Sequence, residues 1–214
     1  MKILNLYACL GGNRYKWNEV QEDIEVTAIE LDPELARLYQ ERFPNDTVII
    51  ADAHQYLLEH YKEFDFIWSS PPCPTHSRIQ LSQYTTRDMA YSDMKLYQEI
   101  IFLNTFFKGK YVVENVIPYY EPLIPANKRD RHLYWTNFNL PYNLNGRKNP
   151  DLSRTKDLIT AMSKYHDYDF RKYKGKQRID KIARNLVDYE AGKTIFETML
   201  GIVRKEDIKQ TELF

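Results

Sequence analysis

The sequence predicts an α/β fold, a doubly wound and mostly parallel sheet that carries a small basic insertion. Two observations predict it. Short apolar runs alternate with stretches whose apolar residues recur at helical spacing, which places helices on both faces of a parallel sheet. Glycines and carboxylates follow the apolar runs directly, where such sheets bind ligands. A polar segment from Phe138 to Gly175, rich in Asn, Asp, Lys and Tyr, interrupts the alternation.

Taken in order, Lys2–Ala8 reads as a buried strand closed by Gly11-Gly12, and Glu25–Glu30 as a second. Asp32-Pro33 opens a helix: the Asp carboxylate accepts from free N–H groups, and the fixed φ of proline suits the first helical position. Leu35, Leu38, Tyr39 and Arg42 carry it to Phe43-Pro44, where proline stops it. Thr47–Ile50 is a third strand, Asp52–His60 a short helix and Phe64–Trp68 a fourth strand. An irregular loop is expected over Pro71–Thr86. Helical spacing over Asp88–Phe107 (Met89, Met94, Tyr97, Ile100, Leu103) ends at Gly109. Lys110–Val113 is a fifth strand running into Glu114-Asn115-Val116, and His132–Trp135 a sixth. Ile179–Leu200 returns to helix. The expected division is 1–137, a lobe at 138–176, and helices at 177–214 that return to the first part.

A chain of 214 residues can bury one substantial core with a small appendage. Its 28% charged and 43% hydrophobic residues exclude a disordered chain. No run approaches the roughly 20 apolar residues of a membrane helix, and Met1–Tyr7 is too short and polar for a signal peptide. No membrane partner is expected. Only Cys9 and Cys73 are present, which argues against a disulfide framework and suits a reducing cytoplasm. They lack paired spacing, so no metal is expected.

The net charge of zero hides an asymmetry. Asn145–Arg184 holds twelve Lys or Arg against five Asp, a local +7 balanced by −7 elsewhere. Tyr165, Tyr168, Phe170 and Tyr173 are interleaved with these charges. Such a stretch is either a solvated surface or a phosphate-binding one, and composition leaves both open.

Cys73 lies between Pro72 and Pro74, directly after the fourth strand. Glu114 ends the fifth. A thiolate at one strand end and a carboxyl at its neighbour suit attack on a pyrimidine ring, with sulfur adding to carbon 6 while the acid steadies ring nitrogen 3. The plainer readings are a buried cysteine, a turn-capping Glu114, or a Cys-His pair with His76. Glu30 ends the second strand, where a carboxylate can accept from two ribose hydroxyls. Asp52 follows the third.

Asn5-Leu6-Tyr7-Ala8-Cys9-Leu10-Gly11-Gly12 resembles the Asp-Leu-Phe-Ala-Gly-x-Gly-Gly motif of the DNA cytosine-5 methyltransferases. Pro72-Cys73 matches their catalytic Pro-Cys, and Glu114-Asn115-Val116 their Glu-Asn-Val. Arg129-Asp130-Arg131 resembles their Arg-x-Arg, and Arg184-Asn185-Leu186-Val187 their Gly-Asn-x-Val. The matches fall in family order across nearly the whole chain. Asn5, Cys9, Pro74 and Arg184 stand where the family pattern has Asp, Gly, Gln and Gly.

The resemblance implies a Rossmann-like class I methyltransferase that uses S-adenosylmethionine on double-stranded DNA. It makes Cys73 the nucleophile and Glu114 the contact to nitrogen 3. Arg131 would bind the cytosine carbonyl oxygen, with Arg129 nearby, and Ser77 a backbone phosphate. Tyr7, Gly11, Gly12, Glu30, Asp52, Pro72 and Asn185 would hold the cofactor. The expected lobe is much smaller than the family's target-recognition domain. RNA as substrate, a separate recognition subunit, or a non-catalytic binding subunit of the same fold are the rival expectations.

Overall fold

The structure, a computed structural model, describes residues 1–83, 88, 90–148, 150 and 157–202. Met89, Asp151, Arg154 and Lys156, counted above, lie outside the described residues, as does the end of the expected Pro71–Thr86 loop.

A sheet of seven strands runs in the order β3-β2-β1-β4-β5-β7-β6. The strands are β1 (Lys2–Leu6), β2 (Glu25–Glu30), β3 (Thr47–Ile50), β4 (Phe66–Ser69), β5 (Lys110–Val116), β6 (Asn127–Arg129) and β7 (His132–Thr136). β1 to β5 are parallel, and β7 pairs antiparallel with both β5 and β6. This is the Rossmann-like class I methyltransferase fold that the motif pattern implied.

Alternation along the strands builds two faces. Ile3, Val26, Phe66, Trp68 and Val112 pack on one side against α1 (Trp17–Val20) and α8 (Tyr189–Met199). Trp17 stacks on Phe196 there, with ring centroids 5.1 Å apart. Leu4, Leu6, Ile29, Ile67 and Val113 face α3 (Ala53–His60) and α5 (Lys95–Phe106) on the other side. α2 (Pro33–Arg42) starts where predicted, with Asp32 accepting from Glu34 and Leu35 N–H. Its Tyr39 hydroxyl donates to Asp46, which also forms a two-pronged ion pair with Arg14, both ion-pair side chains 4% exposed.

The expected loop after β4 contains a short helix, α4 (Ile79–Gln83). The helix expected from Asp88 begins instead at Lys95, whose N–H bonds the Asp93 carboxylate. The insertion holds α6 (Leu158–His166), capped by Asp157, and a 3-10 turn at Phe170–Lys172. Met162, Phe170 and Tyr173 share a buried cluster with Leu35 and Leu38 of α2. The single C-terminal helix expected over Ile179–Leu200 is two, α7 (Ile179–Asn185) and α8. Asp188 causes the break, since its side chain caps α8 through Glu190 N–H.

Candidate active site

β1 and β4 lie side by side although β2 and β3 separate them in sequence, so strand order reverses between them. A crevice opens at such a point beyond the strand ends. Here it is a cavity of about 840 Å³, lined from every parallel strand and from the segment 175–187.

Cys73 reaches it on a loop that is fastened twice. Ser69 of β4 pairs with Val113 of β5, and Asn115 then donates its side-chain amide to the Pro71 carbonyl at 3.0 Å. Beyond Cys73 the chain turns, with His76 and Ser77 N–H both donating to the Cys73 carbonyl at 3.0 Å. Ser77 bridges to Pro118, and Tyr119 N–H donates to the His76 carbonyl. The loop is therefore held to the continuation of β5, the strand that carries Glu114.

Glu114 is 7% exposed and lines the same cavity as the half-buried Cys73. Burial pushes the Cys73 thiol above its ordinary pKa, the Glu114 charge pushes it further, and Lys181 opposes them weakly. At neutral pH the resting site thus holds a thiol. His132 of β7 places Nε2 3.4 Å from Glu114 Oε1. The sequence reading gave His132 no role, because its neighbour is set by an antiparallel pairing that the motif does not encode.

At the other end of the cavity the β1 loop adopts left-handed backbone at Tyr7 (φ 56°), Cys9 (φ 49°) and Gly11 (φ 67°). Cys9 thus occupies a conformation that suits the glycine of the family motif, at a cost of roughly 1–2 kcal/mol. The bent loop delivers Cys9 N–H to Glu30 Oε2 at 2.8 Å, and Asp32 N–H reaches Oε1 at 2.9 Å. Glu30 is fixed through both oxygens, and burial raises its pKa. A Cβ on Gly12 would lie 2.3 Å from the Val187 carbonyl oxygen, so only glycine lets the segment after α7 cross this close. The Tyr7 hydroxyl donates to Glu99 Oε1 at 2.6 Å; Glu99, fully buried, also accepts from Ser69 Oγ and pairs with His54.

One wall comes from the insertion. Gly175, Lys176 and Gln177 line the cavity, and Asp32 Oδ2 accepts from the Tyr173 hydroxyl at 2.7 Å and Gln177 Nε2 at 2.8 Å.

The structure brings Cys73, Glu114, Tyr7, Gly12, Glu30, Asp52, Pro72 and Asn185 to one cavity. Asp52 also caps α3 through Gln55 N–H. Gly11 lies behind the lining, its Cα facing the Tyr39 and Phe43 rings. The two arginines depart from expectation: both line a neighbouring cavity of about 560 Å³. The Arg129 guanidinium donates to the carbonyls of Lys128, Leu140 and Pro141. Arg131 is exposed at the second cavity. Asn5 is not part of the lining, but it accepts from the side-chain amide of Asn13, which is. His76 is 1% exposed, its Nδ1 bonds the Tyr120 hydroxyl, and it lines the same cavity as Cys73. Among the described residues no group of His, Cys, Asp or Glu is arranged to hold a metal. Among them, too, no helix is long and apolar enough to cross a membrane.

The family model for C-5 cytosine-specific DNA methylase matches residues 1–118. A DNMT2 mutant from Spodoptera frugiperda is similar at 25% identity over 54% of this chain and 35% of that one, with a TM-score of 0.42. A hypothetical protein of Thermus thermphillus is similar at 20% identity over 63% and 73%, with a TM-score of 0.42. The Entamoeba histolytica methyltransferase EhMeth is similar at 12% identity over 54% and 38%, with a TM-score of 0.36. The chain spans about a third of the length of the DNMT2 structure. No curated protein matches it.

Proposed function

The chain belongs to the C-5 cytosine-specific DNA methylase family, and on that premise we propose that it methylates carbon 5 of cytosine in double-stranded DNA through a covalent Cys73 adduct on an extruded base. One observation carries the reading. Cys73 and Glu114 extend from neighbouring parallel strands into one cavity, tied together by Asn115 and Pro71.

Carbon 5 of cytosine is a poor nucleophile. A bond from Cys73 sulfur to carbon 6 moves electron density onto carbon 5 and splits one hard step into two. The negative charge that reaches nitrogen 3 needs a proton there. The thiol must lose one, and the Glu114 carboxylate lines the same cavity. We assign Glu114 the transfer of that proton from Cys73 to nitrogen 3. As the carboxylate takes up the proton, its field on the sulfur vanishes, and the thiolate forms when the base is in place. After methyl transfer, the carbon 5 proton leaves to water as the sulfur–carbon 6 bond breaks, and the nitrogen 3 proton returns through Glu114 to the departing thiolate, which restores the thiol. Arg131, at the adjoining cavity, would bind the base carbonyl oxygen. Extrusion of the base costs a few kcal/mol, which cationic contacts to phosphate offset.

The residues at the β1–β3 ends fit S-adenosylmethionine. Glu30 is fixed by two N–H groups with lone pairs left for ribose hydroxyls, and the Gly12 crossing leaves no room for a side chain. When bound, that cofactor supplies a methyl group activated on a sulfonium. Asp52 would accept from the adenine amine, while Tyr7, Gly11, Pro72 and Asn185 shape the remainder.

Labelled cofactor with duplex DNA should place label on carbon 5 of cytosine, and Cys73→Ala should abolish it. Label that goes instead to a competing folded RNA makes RNA the substrate. Tight cofactor binding without transfer to either marks a binding subunit.

A further inference from the structure

The second cavity shares His132, Arg184, Leu186 and Val187 with the first as a common wall. Its cations are unequally engaged. Arg147 lies between two rings, its guanidinium 3.6 Å from the Tyr189 centroid and 4.2 Å from that of Tyr165. It also bonds the Tyr189 hydroxyl and pairs with Asp188, yet its solvent-excluded Nη2 has no partner. Asp188 is already taken, accepting from Arg147 N–H, Glu190 N–H and the Tyr165 hydroxyl. Among the described residues, the side chains of Arg131, Lys148 and Arg184 have neither a hydrogen bond nor an ion pair, and all three line this cavity. Its acidic rim residue is Asp130.

The cavity also has an apolar floor, with Leu144, Met162 and Leu186 buried. His166, 1% exposed, lines it with Nδ1 unpartnered. Burial lowers the His166 pKa to about 4, so the ring is neutral near pH 7. Among the described residues Nδ1 has no partner, and on a neutral ring it can accept a hydrogen bond. Free cations, an apolar floor and one buried acceptor together suit a nucleotide better than a bare anion.

We propose that the second cavity holds the nucleotide adjoining the target base: Lys148 and Arg184 take its phosphate, and His166 Nδ1 accepts an N–H from the edge of its base. The inference rests on the reading of the first cavity as the site of an extruded cytosine. A strand with one base in the first cavity must carry its neighbour past the shared wall at His132.

Lys148 is exposed and lines only the second cavity, so Lys148→Ala leaves the fold and the first cavity intact. The test uses fluorescent duplexes with a single 5-fluorocytosine in randomised flanks. An uncharged methylphosphonate replaces the phosphate on its 5′ or its 3′ side. Neutralising one of these two linkages should weaken wild-type binding roughly tenfold. Lys148→Ala should weaken binding to the unmodified duplex about as much and lower the salt slope by about one. The two changes together should cost no more than either alone, the mark of a shared contact. Additive losses at both linkages overturn the proposal. Covalent capture of 5-fluorocytosine by Cys73 on the same duplexes, with S-adenosylmethionine added, separates the two readings. Capture with additive losses removes only the second-cavity site. Coupling without capture removes the methyl-transfer reading and leaves a nucleotide site standing.

Discussion

The reactivity of Cys73 is set by its neighbours rather than by the loop it sits on. Burial and the Glu114 charge both favour the protonated form, so fewer thiolates exist at a given pH than for an ordinary thiol of pKa about 8.5. The pH dependence of Cys73 alkylation by iodoacetamide should therefore have its midpoint above the ordinary thiol value. Glu114→Gln removes the negative charge and should move that midpoint downward while methyl transfer is lost. An unmoved midpoint would mean that the two groups do not sense each other. Asn115→Ala should leave the Pro71 carbonyl without its partner and cost about 1–3 kcal/mol. Because this releases the Cys73 loop and not Glu30, kcat should fall by a larger factor than cofactor affinity; an equal loss in both would refute the division. Cys73 and Glu114 were legible in the sequence because the chemistry itself names a thiol and an acid at successive strand ends. That the Arg129 guanidinium holds loop carbonyls was not legible, because a motif arginine and an arginine binding carbonyls look the same in one dimension. Glu99 was read only as part of a helix, yet its carboxylate gathers Tyr7, Ser69 and His54.

Among the elements, legibility followed the strength of local signals. β2, α2 and β3 have the bounds their residues announce, since Asp32-Pro33 and Phe43-Pro44 punctuate the chain. β6 is polar, Asn-Lys-Arg, and exists because β7 offers it an edge. α1 is a single turn whose reason is tertiary, the burial of Trp17. The break between α7 and α8 carried a readable cap, Asp188, that uniform apolar spacing obscured. α8 approaches the β1 loop so closely that a Cβ on Gly192 would lie 2.4 Å from the Asn13 carbonyl oxygen. Gly192→Ala sets up to about 1 kcal/mol of helix propensity against about 1–3 kcal/mol of overpacking. Urea denaturation should therefore show a lower midpoint, and a raised one would mean that α8 shifts freely.

At the scale of the molecule, zero net charge means that any attraction to a polyanion is local. Lys176, Lys181 and Arg184 line the first cavity, and Arg131 and Lys148 the second. If Lys176 and Lys181 each meet a phosphate and Lys148 and Arg184 share a third, log Kd should rise with log salt at a slope of about 3. A nearly flat dependence would remove phosphate recognition from this surface. The Asp32 carboxylate spans the same scale, since one oxygen starts α2 and the other grips Tyr173 and Gln177 across the cavity rim. If cofactor binds behind these two bonds, its release requires them to break, and residence time then depends on how long they last. Tyr173→Phe, lacking one of the two fingers, should shed spent cofactor faster.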